Sequence, residues 1–246
     1  MKSRFAGAIA GLTAAALLAT GCAGQNDDAK SPDAAKPAAP AGNGVEALEA
    51  AQILEKAKAA LTQAKSFHFK GSMKADEGKI GLDFKIAGED VFGTMSLDGP
   101  KVQLLAVDGK KYIKPDAAFW KMSGGAEQGP VVAQLVGDRW VLVKAGDKSF
   151  EGMFSTTDVS ELLEPEGTVT KGAVKDVDGK PAITLTDGGA DGGTLYIATT
   201  GEPYPLKLEG PTPADGALTF TEFGETFADI KAPATADVVD LEKLKK

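Results

Sequence analysis

Two adjoining stretches decide the fold: residues 66–74, SFHFKGSMK, and residues 79–87, KIGLDFKIA. In both, apolar and polar residues alternate, so an extended chain has one apolar side and one wet side. The apolar positions are Phe67, Phe69, Gly71 and Met73 in the first stretch and Ile80, Leu82, Phe84 and Ile86 in the second. This period of two predicts a pair of half-buried antiparallel strands.

Similar strand patterns follow along the chain, separated by short turn signals. Asp98-Gly99-Pro100, Asp108-Gly109 and Asp178-Gly179 are typical of tight hairpin turns. The further predicted strands are 91–97, 101–107, 110–114, 140–144, 168–175, 182–186, 193–199, 205–210 and 217–223. About ten closely spaced strands favour an antiparallel α+β domain over a parallel sheet with crossover helices.

Few helices accompany these strands. The clearest is 45–65, where Leu48, Ala51, Leu54, Lys58 and Leu61 follow spacings of three and four and acidic residues precede basic ones. Shorter helices are predicted at 130–136, 158–163 and 237–244. These cannot cover the apolar face of so many strands, so the sheet must close, pack on itself or curl around a cavity. Glycines within strands, at Gly71, Gly81 and Gly93, are where a sheet bends.

The chain begins with a secretory signal. Lys2 and Arg4 form a basic start, and 6–18 is a short apolar run without charge. It ends in LATGC, residues 18–22, which resembles a bacterial lipobox, although Ala19 stands where leucine is usual. Residues 1–21 are therefore predicted to be removed, and the thiol of Cys22 to become a diacylglyceryl cysteine with acyl chains such as palmitate. An ordinary signal peptide with an incidental cysteine is the alternative.

A tether separates this anchor from the folded domain. Residues 22–44 are rich in alanine and proline and show no apolar periodicity, which predicts disorder. Removal of Lys2 and Arg4 with the signal lowers the net charge from −8 to −10. Anionic headgroups repel such a body, so the acyl chains must hold the protein at the cell membrane, on its extracytoplasmic face. Residues 45–246 are predicted to form one domain.

The composition excludes several classes of function. Only two arginines and an acidic net charge argue against nucleic-acid binding. The single cysteine and the single histidine, His68, leave no disulfide framework and no cysteine- or histidine-rich metal site. His68 lies on the wet side of its strand and is interpreted as a solvated residue. No nucleophile elbow or phosphate-binding loop is present, so we expect neither an enzyme nor a bound cofactor or metal.

The two tryptophans lie outside the strongest strand patterns. Trp120 and Trp140 could grip an acyl chain near a cavity mouth or sit at a membrane interface. The alternative is that both are core aromatics that anchor loops against the sheet.

Two runs in the second half of the chain carry a family resemblance. They are VDGKPAI, residues 177–183, and GTLYIATTGEPYPL, residues 193–206. With the lipobox, the early helix and DGKKY (108–112) ahead of Trp120, they resemble the LppX/LprG/LprF-type lipoproteins of actinobacteria. The order of these pieces across most of residues 45–223 carries the resemblance.

The resemblance implies a LolA-like half-barrel: a strongly curved antiparallel sheet that wraps a few helices and leaves an apolar cavity. It also implies a monomeric carrier of an acylated lipid or lipoglycan from the cytoplasmic membrane. A sensor or scaffold of the same fold, bound to a membrane-protein partner, is the alternative. Strand alternation places the lipid-binding residues at Phe67, Phe69, Met73, Ile80, Leu82, Phe84, Ile86, Leu97 and Leu104.

Overall fold

The structure is a computed structural model that describes residues 41–75 and 78–244. The predicted signal sequence, Cys22 and the predicted tether as far as residue 40 lie outside the described residues. The strands are β1 (Ser66–Ala75), β2 (Gly78–Ala87), β3 (Asp90–Leu97), β4 (Lys101–Val107), β5 (Lys110–Pro115), β6 (Trp140–Val143), β7 (Val169–Val177), β8 (Lys180–Asp187), β9 (Thr194–Ala198), β10 (Pro205–Glu209), β11 (Gly216–Thr221) and β12 (Val238–Val239). The α-helices are α1 (Ala50–Ala64), α2 (Ala117–Val136), α3 (Lys148–Ser155), α4 (Val159–Leu162) and α5 (Leu241–Leu244).

One sheet contains all twelve of these strands, in the order β12-β6-β5-β4-β3-β2-β1-β11-β10-β9-β8-β7. Strands β1 to β6 run outward from β1 as a meander, and β7 to β11 return to pair β11 with the other side of β1. Every neighbouring pair is antiparallel except β12 with β6. Among the described residues the end strands β12 and β7 do not pair, so the sheet stays an open half-barrel. The predicted curved antiparallel α+β fold is confirmed.

The hairpin turns form where aspartate-glycine pairs predicted them. Asp108 and Gly109 have φ of 53° and 70°, and Asp178 and Gly179 have φ of 52° and 81°. Two consecutive positive φ values match the right-handed twist of the flanking strands, and they favour glycine at the second position. The local sequence alone therefore sets these turns.

Two glycines of the first strands lie so close to a neighbouring strand that no side chain fits there. A Cβ on Gly71, whose φ is 152°, would lie 2.0 Å from the carbonyl oxygen of Ala217 on β11. A Cβ on Gly93 would lie 2.3 Å from the Phe84 ring on β2. Any larger residue would push these strands apart, because β1 and β3 each have a neighbour on both sides.

The apolar face of the sheet, here called the inner face, packs against α1. The helix buries a stripe of five side chains on this face, and a capping box between Glu49 and Gln52 fixes its first turn. Helix α1 ends at Lys65, whose φ of 64° turns the chain directly into β1. The buried stripe comprises Ile53, Leu54, Ala57, Ala60 and Leu61.

Of the three helices between β5 and β7, α4 confirms the helix predicted over 158–163, whereas α2 and α3 differ from the prediction. A short helix is predicted only over 130–136, but α2 begins at Ala117 and bends at Gly125, whose φ is 73°. Helix α3 is not predicted at all. The glycines and Pro130 of α2 have low helix propensity, so the sequence does not predict its full length. Helix α3 spans only two turns, which is too short for a clear helical pattern.

The C-terminal segment crosses the opposite, outer face of the sheet. The N–H of Gly224 donates to the carbonyl of Ser66 at 2.8 Å, and Lys85 pairs with Asp229 at 2.6 Å. Ile230 then packs on an outer cluster of β4 and β5. The prediction of one helix over 237–244 is wrong in its first half, where β12 pairs with β6 before α5 begins.

The described domain begins slightly before the predicted boundary at residue 45. Gly42 bridges to Thr200, and the side-chain amide of Asn43 donates to the carbonyl oxygens of Ala198 at 2.9 Å and Gly201 at 3.1 Å. The last residues assigned to the tether therefore lie against the end of β9.

Candidate functional site

The largest described space, cavity I, has a volume of about 530 Å³ and lies between the inner face of the sheet and α1, α3 and α4. Strand alternation turns the side chains of Phe67, Ile86 and Val91 toward it, and α1 contributes Leu61. Its apolar lining consists of Leu61, Phe67, Ile86, Val91, Ala106, Phe154, Val159 and Leu163. Cavities of this size with mainly apolar walls are typical of small-molecule sites.

The mouth of cavity I is polar and carries more lysines than carboxylates. Lys58, Lys65 and Lys111 line it together with Glu89 and Asp158. The Lys111 ammonium lies 5.1 Å from the centre of the Phe154 ring, so its stem covers part of the apolar wall. The site can therefore hold an apolar group inside and a polar head at the rim.

Helix α4 fixes one side of this mouth through its N-cap. The carboxylate of Asp158 accepts hydrogen bonds from the hydroxyl and the backbone N–H of Ser160. The hydroxyl above all, with the backbone N–H groups of Ser160 and Glu161, lowers the pKa of Asp158, because these donors stabilise the charged carboxylate. Asp158 is therefore a fixed negative charge at neutral pH, not a proton donor.

Cavity II, of about 490 Å³, lies beneath the first half of α2. Phe119 and Trp120 form one wall, with their rings edge to face at 5.9 Å, and Met153 of α3 belongs to the lining. Trp120 is buried, and its indole Nε1–H has no acceptor among the described residues. An unpaired buried donor in a cavity wall is unusual, since such groups are nearly always hydrogen-bonded.

Cavity III is smaller, about 250 Å³, and its polar lining is acidic. Asp187 at its rim accepts hydrogen bonds from the backbone N–H groups of Glu166, Gly189 and Gly167 at 2.8, 3.0 and 2.8 Å. The Glu166 N–H foremost, and then the other two, lower the pKa of Asp187. The carboxylates of the lining are Glu161, Glu164, Glu166, Asp187, Asp191 and Glu209. Among the described residues, no lysine or arginine belongs to it.

Cavities I and III share one wall. Leu163 lines both, and it is 5% exposed. Beside it, Lys58 from cavity I pairs with Glu164 from cavity III at 2.6 Å. The two cavities are therefore neighbours that share Leu163 as a lining residue.

The structure brings the nine predicted lipid-binding residues onto the same inner face but not around one cavity. Phe67 and Ile86 line cavity I, Leu97 lines cavity II, and Met73 lines cavity III. The remaining five belong to the packed core or lie partly buried against it: Phe69, Ile80, Leu82, Phe84 and Leu104. Their assignment to lipid binding stays a prediction.

Sequence reasoning missed the wall of the site that α3 forms. Phe150, Met153 and Phe154 line cavities I and II from α3. Their spacing of three and four is a helical signal, but it spans only two turns. Trp120 is a core aromatic that also lines cavity II, and its role toward an acyl chain or a membrane stays a prediction.

His68 lies on the outer face and lines none of the three cavities. The interpretation of His68 as a solvated residue is wrong. Its side chain is 16% exposed, its Nε2 lies 2.7 Å from Asp83, and its Nδ1 lies 3.8 Å from Glu222. The histidine therefore joins a polar network around Asp83, which also pairs with Lys70 at 2.9 Å. Neighbouring strands place these side chains side by side, a pairing that no single-strand pattern reveals.

No group of three histidine, aspartate, glutamate or cysteine residues lies close enough together to hold a metal ion in the described part of the chain. Over the same residues, no helix is both long and apolar enough to cross a membrane.

Comparison with known proteins gives a structural match only. No family model matches the chain, and no curated protein sequence matches it. LprF from Mycobacterium bovis is similar in structure, with a TM-score of 0.50 at 14% identity over 75% of this chain and 97% of LprF. The Mycobacterium tuberculosis lipoprotein LppX gives 0.42 at 14% identity, covering 69% of this chain and 91% of LppX. An uncharacterized conserved protein from Thermus thermophilus gives 0.40 at 13% identity, covering 78% of this chain and 98% of that protein.

The match to LprF confirms the resemblance at the level of the fold. It spans nearly the whole of LprF. Function has to be argued from the cavities themselves, because one fold serves many functions.

Proposed function

We propose that this chain is an extracytoplasmic lipoprotein, anchored through acylated Cys22, that holds acyl chains of a lipid or lipoglycan in cavity I. It carries this lipid away from the cytoplasmic membrane and is not an enzyme. The observation that carries the proposal is cavity I itself: about 530 Å³ of space with apolar walls and a polar rim. The resemblance to LppX/LprG/LprF-type lipoproteins and the fold shared with LprF support it.

The driving force for binding is the transfer of methylene groups out of water. Each methylene that enters an apolar space contributes about 0.8 kcal/mol, so a chain of about ten contributes roughly 8 kcal/mol before ordering costs are subtracted. No bond is made or broken. Release requires only that the lipid find a competing apolar environment or that the mouth change shape.

The lysines of the mouth suit this role. Lys65 and Lys111 are exposed at the rim, where a lipid head would remain in water. An ammonium on a flexible stem can follow a head group as the chain slides in.

The alternative, a sensor or scaffold that binds a protein partner, is less well supported, because the edge strand β7 is poorly suited to pair with a partner strand. Strand addition to β7 is the simplest way for this fold to bind an extended partner. Strand β7 has a register shift between Lys171 and Val174, and Lys171 donates to the carbonyl oxygens of Glu46 and Leu48, at 3.2 and 2.7 Å. A bulge and lysines along an edge strand oppose such pairing.

Ala106 allows a sharp test. It lines cavity I from β4 and is only partly buried, so Ala106→Trp would fill the cavity, whereas Ala106→Ser would leave its volume unchanged. The mature lipoprotein and both variants are purified from the native host in the same detergent and extracted with organic solvent. Extraction releases non-covalent lipid but leaves the acyl groups of Cys22 on the protein.

We expect one acylated lipid to accompany the wild type and Ala106→Ser in a fixed ratio, and to fall at least tenfold in Ala106→Trp. Circular dichroism shows whether the tryptophan variant is folded. Equal lipid in all three proteins, or none in any of them, would refute lipid binding in cavity I.

A further inference from the structure

Helix α2 is a tight hairpin of two helical halves. Gly125 breaks the helix with φ 73° and ψ 179°. At Gly129 a Cβ would lie 2.3 Å from the carbonyl oxygen of Trp120 and 2.6 Å from Cα of Lys121, so the halves pack backbone to backbone. Arg139 completes the end of the second half by donating to the carbonyl oxygens of Leu135 and Val136. The two halves therefore form one packed unit.

This hairpin exposes apolar side chains to an unusual degree. Met122 is 53% exposed, Val131 64% and Leu135 46%. Within the described residues only one other large apolar side chain is comparably exposed, Val174 on β7 at 43%. Val131 and Leu135 are four residues apart and so lie on one face of the second half. A cluster of this kind marks an interaction surface, whereas a lone exposed valine does not.

The low charge of the hairpin indicates that its partner is a lipid surface. A quarter of the chain is charged and the net charge is −8, but α2 has only Lys121 and Glu127 in its twenty residues. Anionic headgroups repel the acidic body, whereas the neutral, apolar hairpin is not repelled and gains by entering the interface. Tryptophan is also a side chain enriched at this depth, and Trp120 lies at the base of the hairpin.

The length of the predicted tether does not decide which face of the domain contacts the membrane. Eighteen residues separate Cys22 from the described domain, a span of at most roughly 60 Å when extended. A domain of this size has a radius of gyration of about 17 Å. Any face can therefore reach the bilayer that holds the anchor.

We propose that the α2 hairpin is the bilayer-contacting surface of this protein and inserts Met122, Val131 and Leu135 into the lipid interface. Because Met122 also lines cavity II, the contact places that cavity beside the membrane. A lipid ester carbonyl that reaches this cavity would supply the acceptor that Trp120 Nε1 lacks among the described residues. The proposal rests on acylation of Cys22 but not on lipid binding in cavity I.

The test compares Val131 with Val174, which are both exposed valines. The mature lipoprotein is reconstituted by its own anchor in phosphatidylcholine–phosphatidylglycerol vesicles. Acylation occupies Cys22, so Val131→Cys or Val174→Cys carries the only free thiol and is labelled with the fluorophore NBD. Because both proteins have the same anchor, the tether contributes equally to both signals.

We expect the label at residue 131 to shift to the blue and to be quenched at least threefold more by nitroxide-bearing lipids than the label at residue 174. Equal quenching at the two sites would overturn the proposal. So would a label at residue 131 that stays in water on vesicles but is shielded in native membranes, because the surface would then bind a protein. Either failure leaves the extraction experiment on cavity I unaffected.

A second pair of variants tests whether added charge on the hairpin prevents contact with the membrane. Val131→Asp with Leu135→Asp adds two charges at exposed positions, and Val174→Asp is the matched control. We expect the double variant to abolish quenching of an NBD label placed at Met122→Cys, and the control to leave it unchanged. Unchanged quenching in the folded double variant would also overturn the proposal.

Discussion

The inner and outer faces of the sheet are built from the same strands but stabilised in different ways. On the inner face, Phe69, Phe84 and Leu104 are fully buried in one continuous core, beside cavities of up to about 530 Å³. On the outer face, two small apolar clusters alternate with ion pairs such as His68 with Asp83. Among the described residues, the inner face is where apolar walls combine with unfilled space.

Within the inner face, residues two positions apart on one strand also differ: one is packed solid and the next lines a cavity. Phe84 contacts Phe69 at 5.6 Å between ring centres and is inaccessible to solvent. Ile86, the next residue on that face of β2, lines cavity I. The difference teaches that strand alternation selects the face, whereas the helices packed on it decide where space remains.

The largest effect is expected in the packed centre. Phe84→Ala should destabilise the domain by about 3–5 kcal/mol, because it removes a fully packed ring and leaves a cavity. Phe92→Ala is the matched control, since Phe92 is only partly buried on the outer face, 6.4 Å from Trp140. Urea unfolding should show a clearly smaller loss for Phe92→Ala. Equal losses would remove the distinction between the faces.

A second pair compares packed and cavity-lining positions. Ile113→Ala removes a side chain that is 0% exposed and lines none of the three cavities. Ile86→Ala removes a side chain that lines cavity I and therefore has fewer packing partners. We expect a cost of about 2 kcal/mol for Ile86→Ala and about 1 kcal/mol more for Ile113→Ala, both measured by urea unfolding of lipid-free protein. The reverse order would mean that cavity I is closed in solution.

A titration tests the outer face at alkaline pH. Tyr196 donates to Glu209, and this hydrogen bond, together with burial, raises the pKa of Tyr196 to about 12. Because that pKa lies above the value of about 10 in an unfolded chain, the contribution to stability is complete below about pH 10 and is lost between about pH 10 and 12. Glu209→Gln should lower the pKa toward about 10, as measured by the absorbance of the ionised phenol. Tyr196→Phe identifies the transition, and a titration unchanged by Glu209→Gln would contradict the assignment.

The smallest effect is expected for the ion pairs around His68. Burial raises the pKa of Asp83, but hydrogen bonds from Lys70 and His68 together outweigh it and hold the pKa below its ordinary value. Its contribution to stability is therefore present above about pH 4 and is lost as the pH falls through the lowered pKa. Since Asp83 is 44% exposed, Asp83→Asn should cost under about 1 kcal/mol at about pH 6. The variant should also lose stability less steeply as the pH falls below about 4, and an unchanged acid profile would exclude this role.

Most of the sheet could be predicted because its signals are local. Alternation in β1 and β2 and the aspartate-glycine turns depend only on residues adjacent in the chain. By contrast, the pairing of β11 with β1 joins residues far apart in the chain, as in His68 with Thr221, and nothing in either strand specifies it. The hairpin of α2 was missed because its glycines and Pro130 oppose helix in isolation, whereas close packing at Gly129 stabilises it.

The candidate site divides in the same way. The face of Phe67 and Ile86 was predictable from alternation, but the contributions of Phe150, Met153 and Phe154 depend on where α3 lies. The indole N–H of Trp120, which has no acceptor among the described residues, is likewise a property of its surroundings and not of its residue type.

The sequence by itself determined the strand period, the hairpin turns and the apolar face of each strand, and it predicted an anchor and a tether. Each of these follows from the chemistry of near neighbours along the chain. Only the tertiary structure decided which apolar residues are packed solid, which of them line cavities and which face solvent on α2. Packing density depends on side chains that meet from distant elements, so volume left unfilled is a property of the assembled fold.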